Sequence, residues 1–199
     1  MLRINIFGLA AAVVLAFAAC RSDSYEICGR CDGLSDGDTV FITDGMNCGV
    51  FSDTAVVCGG KFVFRGVADS SVLCIAYCPA KPVLNMPFFL ENGTILMKLS
   101  SSPEQARVSG TVNNNKWQKL MDTSIGLGLE IDRFAARLYS GRLDYEEQQA
   151  LLDSIASRNE RFGEIVAFFA EKEGDSDFGR FLRSTYKDFL HARTLRQTR

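Results

Sequence analysis

The chain has 199 residues, a formal net charge of −2 and a hydrophobic content of 47%. This composition excludes a disordered or low-complexity protein and leaves enough residues for one domain, or one domain with an appendage, around a real core. The near-neutral charge argues against a general nucleic-acid binder, and a single His disfavours His-dependent catalysis and multi-His metal sites.

The first twenty residues have the features of a bacterial lipoprotein signal. Arg3 supplies a positive charge, Ile6 to Phe17 form an apolar run too short to span a bilayer, and small residues precede Cys20. We predict a signal peptide over 1–19, acylation of Cys20 and a polar tether over 20–24. An ordinary secretion signal or an uncleaved anchor helix is the alternative. No acidic cluster follows the cysteine, which favours the periplasmic side of the outer membrane over the cell surface.

From Tyr25 to about Thr111, short alternating runs of apolar and polar residues are broken by Gly, Asp and Asn. Short strands at this spacing predict a small antiparallel β-sandwich or open barrel rather than a parallel sheet. Gly59-Gly60 and Asn92-Gly93 predict two-residue turns, and the second would form a hairpin that places Phe88 opposite Met97. The predicted strands are 25–31, 38–43, 54–58, 62–67, 72–78 and 107–111.

Past Asn113 the apolar period changes from two to about 3.6 residues, which predicts helices. The first carries an apolar stripe that begins at Trp117. Asp144 and Glu147 predict the capping box of a second helix, and residues 175–177 begin a third. The predicted fold class is α+β, with a β-rich domain over 25–112 followed by a helical region of about three helices over 113–199.

Six cysteines follow the predicted lipidation site, and an even number in an envelope protein permits disulfides with open connectivity. Bridges from Cys28 to Cys31 or from Cys74 to Cys78 are excluded, because an extended strand separates the pairs by about 10 and 13 Å. The first pair is formally a C-x-x-C, but no helix follows it, which disfavours thioredoxin-type redox chemistry. A zinc site formed by both pairs is equally disfavoured, because two ligands four residues apart on a strand are splayed apart. Inert half-buried thiols or inter-strand disulfides are favoured, and no cofactor is expected. The six are Cys28, Cys31, Cys48, Cys58, Cys74 and Cys78.

Residues 33–37 fit the G-x-S-x-G pattern of serine hydrolases around Ser35. The context is missing, because the segment leads into a strand instead of a helix and the only histidine is His191, near the C-terminus. The segment is predicted to be a turn, and the aspartates around it are turn residues without calcium-loop spacing. No catalytic residue is assigned, and we do not expect an enzyme.

The order and spacing of five segments, Tyr25–Gly29, Gly33–Phe41, Asp53–Val57, Gly60–Gly66 and Phe88–Gly93, carry a family resemblance. Over residues 24–115 the chain resembles the bacterial lipoprotein family called domain of unknown function 4369. That domain is commonly the N-terminal part of thioredoxin-like, peroxidase-type envelope proteins, and residues 166–175 and 178–182 look like their helical connector. Because the sequence ends at Arg199, we expect the thioredoxin domain to be absent, and the resemblance carries no catalytic residue over.

Two functions are consistent with these patterns. The first is a lipid-anchored, non-catalytic envelope module that binds a partner protein, for which the resemblance suggests a thioredoxin-like protein, or a small ligand. The second is an accessory protein of a periplasmic thiol-disulfide exchange pathway. The second requires at least one exposed thiol of low pKa, whereas the first predicts thiols that are bridged or inert.

Overall fold

Eight strands and then three helices follow one another along the residues that the structure describes. The computed structural model describes residues 22–44, 52–141 and 143–190. The predicted signal peptide, Cys20, Cys48 and His191 lie outside these residues. The strands are β1 (Tyr25–Arg30), β2 (Thr39–Asp44), β3 (Ser52–Val56), β4 (Lys61–Gly66), β5 (Val72–Tyr77), β6 (Asn85–Leu90), β7 (Gly93–Lys98) and β8 (Arg107–Ser109), and the helices are α1 (Val112–Leu138), α2 (Tyr145–Glu173) and α3 (Asp177–Thr185).

The strands form two four-stranded sheets, which confirms the predicted α+β class. Sheet A has the order β4-β1-β7-β8 and sheet B the order β3-β2-β5-β6. Alternation of apolar residues turns one face of each sheet into a shared core, because side chains at every second position lie on the same face. The pairing is antiparallel throughout, except that β1 and β7 are parallel.

A tight turn at Gly59-Gly60 connects the two sheets. Both glycines have positive φ angles, 58° and 69°, which L side chains rarely adopt. Cys58 and Lys61 exchange two backbone hydrogen bonds across them, at 2.9 and 3.1 Å. The predicted turn is therefore confirmed, but β3 and β4 belong to different sheets, so it forms a corner of the sandwich.

The predicted hairpin at Asn92-Gly93 is wrong. β6 belongs to sheet B and pairs with β5, while β7 lies in sheet A, so Phe88 does not face Met97. The Asn92 side chain instead bonds the backbone N–H and carbonyl of Ala68 at 2.8 and 2.9 Å, which ties the sheet crossing to a neighbouring loop. Residues 88–90 are all buried, so both faces of β6 are covered. The core between the sheets covers one face, and the helices cover the other at Phe89.

Helix α1 closes the outer edge of sheet B along β6. The side chain of the fully buried Asn114 accepts a hydrogen bond from the Phe89 N–H at 2.9 Å and donates one to its carbonyl at 2.7 Å. The Trp117 indole donates to the Pro87 carbonyl at 2.9 Å. These side chains satisfy the backbone groups that a further strand would otherwise pair with, and they block that edge against other chains.

Helix α3 completes the cover over Phe89, and α2 packs against both α1 and α3. The predicted capping box of α2 is confirmed, because Asp144 and Glu147 bond each other's backbone N–H groups. Helix α3 places Phe181 against Phe89 with ring centroids 5.0 Å apart in an edge-to-face arrangement. None of the helices in the described ranges is both long and apolar enough to cross a bilayer.

Candidate functional site

The five described cysteines are free thiols in different environments. Cys31, Cys74 and Cys78 are buried, Cys28 is half-buried and Cys58 is exposed beside the Gly59-Gly60 turn. The predicted inter-strand disulfides do not join any of these five.

The C-x-x-C sequence is split between two faces of sheet A. Cys28 lies on the outer face, whereas Cys31 lies in the core. The intervening Gly29 is favoured by packing, because a Cβ there would lie only 2.0 Å from the edge of the buried Phe62 ring. This arrangement explains the motif as strand alternation with one tight contact, and it places Cys28 on a strand instead of at a helix N-terminus.

The most perturbed thiol is Cys74, on the inner face of β5. Burial raises its pKa to about 12, and the neighbouring Asp44 carboxylate adds to the shift. Burial likewise raises the pKa of the Tyr25 and Tyr186 hydroxyls. A thiol with so high a pKa stays protonated and is a poor nucleophile at neutral pH.

The segment around Ser35 is a turn, as predicted. The Asp38 carboxylate accepts a hydrogen bond from the Ser35 N–H at 2.8 Å, and Asp36 accepts one from the Gly59 N–H at 2.6 Å. These aspartates therefore stabilise loops. Across the described ranges, no cluster of three or more His, Cys, Asp or Glu side chains is placed to hold a metal ion.

The outer face of sheet A carries three parallel rows of side chains, set by the strand registers. One row contains Arg65, Glu26 and Thr94, and its first two members form a salt bridge at 2.5 Å. The second, here called the apolar row, contains Val63, Cys28 and Leu96; Val63 is 42% exposed and Leu96 50%. The third, the cation row, contains Lys61, Arg30, Lys98 and Arg107.

The cation row brings four like charges into direct cross-strand register. Arg107 lies 3.7 Å from Asp122, a long contact between half-exposed groups. No carboxylate of the described residues forms a salt bridge with Lys61, Arg30 or Lys98. Like charges directly opposite each other on a sheet are destabilising, so the stability of the sheet does not explain this row.

An open pocket of about 510 Å³ lies where the chain enters β1, at the end of sheet A opposite the cation row. Ser22 and Ser24, just before β1, line this pocket together with outward residues of sheet A, so they lie beside its outer face. The other wall residues are Tyr25, Glu26, Arg65, Gly66, Val67, Gly93 and Thr94.

The outer face of sheet B differs in chemistry. Its central contact is the stacked pair of Phe41 and Tyr77, with ring centroids 5.6 Å apart. Thr54 lies beside Phe41 in register, and Val56 on the same strand is 64% exposed. We call these four residues the aromatic patch. None of the described outward side chains of sheet B is charged; the others are Thr39, Thr43, Leu73, Ile75, Asn85, Pro87 and Phe89.

Residues 25–117 match the family described as Domain of unknown function (DUF4369). This stretch of the chain belongs to that family. The DUF4369 segment contains both sheets, both outer faces and the five described cysteines. It ends at Trp117, so it also includes the turns of α1 that close the β6 edge. No curated protein matches the chain.

Sequence reasoning did not find the two faces of the DUF4369 segment. Lys61, Arg30 and Lys98 are far apart in the sequence, and only the pairing of β1 with both β4 and β7 aligns them. A local signal did exist: each of these residues occupies an outward position at one end of an alternating strand. The turns between neighbouring strands do not predict the pairing of β1 with β4 and β7 that aligns these residues.

Proposed function

We propose that this protein is a lipid-anchored, non-catalytic envelope module that binds a partner protein through the aromatic patch of sheet B. The observation that carries the proposal is an uncharged outer sheet face centred on the stacked Phe41 and Tyr77. Aromatic residues are enriched in protein interfaces, and charged residues are depleted from the interface core.

The structural context of the patch supports this role. The helices cover the far corner of the same face, over Phe89, while Val56 at the opposite side is 64% exposed. The patch lies on rigid, paired strands, so binding to it requires little ordering of the backbone. A thioredoxin-like envelope protein is the partner class that the family resemblance suggests.

The anchor part of the proposal rests on the sequence before β1. Acylation of Cys20 would leave only residues 21–24 between the lipid and β1. Intact mass spectrometry of protein from native membranes tests this directly. We expect the mass of a chain that begins at Cys20 with acyl groups attached; a chain cleaved elsewhere without acyl groups would contradict the anchor.

Site-specific photocrosslinking in cells tests the binding surface. A photoreactive amino acid replaces Thr54 or Val56 within the patch, and Tyr145, which is 75% exposed on α2, serves as the control position. We expect one discrete protein adduct from both patch positions and none from Tyr145, and Tyr77→Ala should reduce its yield at least fivefold. Equal adducts at all three positions, or none at the patch, would contradict the proposal.

The alternative function, thiol-disulfide exchange, is favoured by the exposure of Cys58. Alkylation at neutral pH followed by peptide mass spectrometry separates the two functions. The binding function predicts that Cys31, Cys74 and Cys78 react at least tenfold more slowly than Cys58, and that no cysteine carries a mixed disulfide to another protein. A mixed disulfide at Cys58 or Cys28 in cells would support the exchange pathway instead.

A further inference from the structure

We propose that the outer face of sheet A lies on an anionic phospholipid surface, with the cation row against the headgroup phosphates. This inference rests on the lipid anchor of the proposed function and adds an orientation to it. Three features of the described residues carry it: the cation row, the adjacent apolar row and the position of the chain entry into β1.

The cation row matches a flat anionic surface. Four strands about 4.8 Å apart give a line of charge about 14 Å long, and all four side chains project from the same face. Lys61, Arg30 and Lys98 lack salt-bridge partners among the described residues, so these cations are available to phosphates. Their mutual repulsion in the free protein falls when anionic headgroups lie between them.

The apolar row gives the face a second contact with lipid. Val63 and Leu96 project beside the cation row, two residues away along their strands, and both are exposed to about half of their area. Leu and Val side chains next to Lys and Arg are the composition of interfacial membrane-binding surfaces, because apolar groups enter the acyl boundary while cations remain at the headgroups.

The chain entry places this face near the lipid anchor. Ser22 and Ser24 lie beside the outer face of sheet A, at the wall of the open pocket. From Cys20 to Tyr25 the chain spans at most about 18 Å, so an acylated Cys20 keeps the face close to the membrane. The Debye length is about 8 Å at physiological salt, so the cation row attracts headgroups when the face lies directly against the surface, an arrangement that this tether length permits.

Two cations of α3 are paired, unlike most of those in the cation row. Arg180 forms a salt bridge with Asp177, and Arg183 forms one with Asp175. The cation row is distinguished by its register, which places four cations in one line on one sheet face. Because the two sheets share one core, contact of sheet A with lipid leaves the aromatic patch on the opposite side, where a protein partner can reach it.

Tryptophan quenching by brominated lipids tests the orientation. The acylated full chain is reconstituted into vesicles of brominated phosphatidylcholine, with or without 25% phosphatidylglycerol. Leu96→Trp reports on sheet A, and Val56→Trp on sheet B is the matched control; the native Trp117 is buried and forms a common background. A Val63→Trp variant repeats the measurement on β4, in case the first variant fails to fold.

We expect quenching of Leu96→Trp to rise at least twofold when phosphatidylglycerol is present. The increase should disappear in 1 M NaCl, where the Debye length is about 3 Å, and in an Arg30→Gln/Lys98→Gln background. Val56→Trp should change less than 1.2-fold. Equal quenching of Leu96→Trp with and without phosphatidylglycerol, or equal quenching of both reporters, would overturn the inference.

The same preparation separates this inference from the anchor. Flotation with neutral vesicles and the intact mass report acylation of Cys20, independently of any reporter. If the chain is acylated and Leu96→Trp is not quenched, the orientation is wrong and the anchor stands. If the chain is not acylated, the anchor is wrong, and quenching by phosphatidylglycerol vesicles still decides whether the face binds anionic lipid.

Discussion

The two sheets have similar inner faces and opposite outer faces. Ile27, Phe64 and Ile95 of sheet A and Val40 and Ile42 of sheet B are buried in one core. On the outside, sheet A carries six charged residues in register, whereas the described outward residues of sheet B carry none. Inner residues are fixed by burial in either sheet, and on the outer face of sheet B the helices bury Phe89 as well. Outer residues away from the helices are not fixed in this way, so their difference reports on what each face contacts.

The largest expected effect comes from removing the two hydrogen bonds that join α1 to the β6 edge of sheet B. Asn114→Ala leaves the N–H and carbonyl of Phe89 buried without partners, so the free energy of unfolding should fall by about 3 kcal/mol. Asn115→Ala is the matched control, because its side chain accepts only an exposed bond from the Gly110 N–H and should cost less than about 1 kcal/mol. Urea denaturation measures the free energy of unfolding of both variants. Equal losses would show that the bonds from Asn114 to the β6 edge contribute no more to stability than an exposed hydrogen bond.

The buried thiol on the inner face of sheet B gives an intermediate effect that depends on pH. The pKa of Cys74 is raised to about 12 in the folded chain from an ordinary value of 9.0, so its contribution is complete below pH 9 and is lost as pH rises towards 12. Between pH 8 and pH 10 this loss is on the order of 1 kcal/mol. Cys74→Ala should remove that part of the alkaline decline measured by urea denaturation under reducing conditions.

The control for this pH dependence is Cys58→Ala, which removes an exposed thiol and should retain the wild-type decline. The absolute stability of Cys74→Ala will be lower at every pH because the substitution leaves a cavity, so only the difference between pH 8 and pH 10 is compared. An unchanged decline in Cys74→Ala would show that this thiol is not the group that titrates.

The smallest expected effect tests the charge on sheet A. Arg30→Gln/Lys98→Gln removes two like charges from the cation row and should raise the free energy of unfolding by about 0.5 kcal/mol at low salt. Arg65→Gln breaks the exposed pair with Glu26 and should lower it by about 0.5 kcal/mol. Thermal denaturation at two salt concentrations measures both. A loss of stability in the double variant would mean that the row stabilises the sheet.

Much of the fold was predictable because its signals are local. Alternation identified the strands, Gly59-Gly60 identified a turn, and the capping box of Asp144 and Glu147 identified the start of α2. The sheet crossing was missed because Asn92-Gly93 has the composition of a hairpin turn, while its real role depends on a bond to Ala68. The sequence signal against a one-sided hairpin strand is the run of three consecutive apolar residues at 88–90, all of which are buried.

The candidate surfaces were less predictable than the fold. The cation row requires the parallel pairing of β1 with β7, a non-local contact that no turn encodes. The aromatic patch requires the register that sets Phe41 against Tyr77. Arg30, Phe41, Tyr77 and Arg107 fall within predicted strands, whereas Lys61 and Lys98 lie just outside them. The sequence does not state which strands are neighbours, and a surface row exists only after the neighbours are known.

The central position of β1 in sheet A sets an order on assembly. Its two neighbours, β4 and β7, are both made later, and β7 ends only at Lys98. In a chain that emerges N-terminus first, β1 can pair with β4 once Gly66 has been made, but its other edge stays unpaired until β7 follows, when about half of the protein has been made. Sheet A is complete only after strands from distant parts of the chain have joined, and such non-local pairing predicts slow folding for a domain of this size.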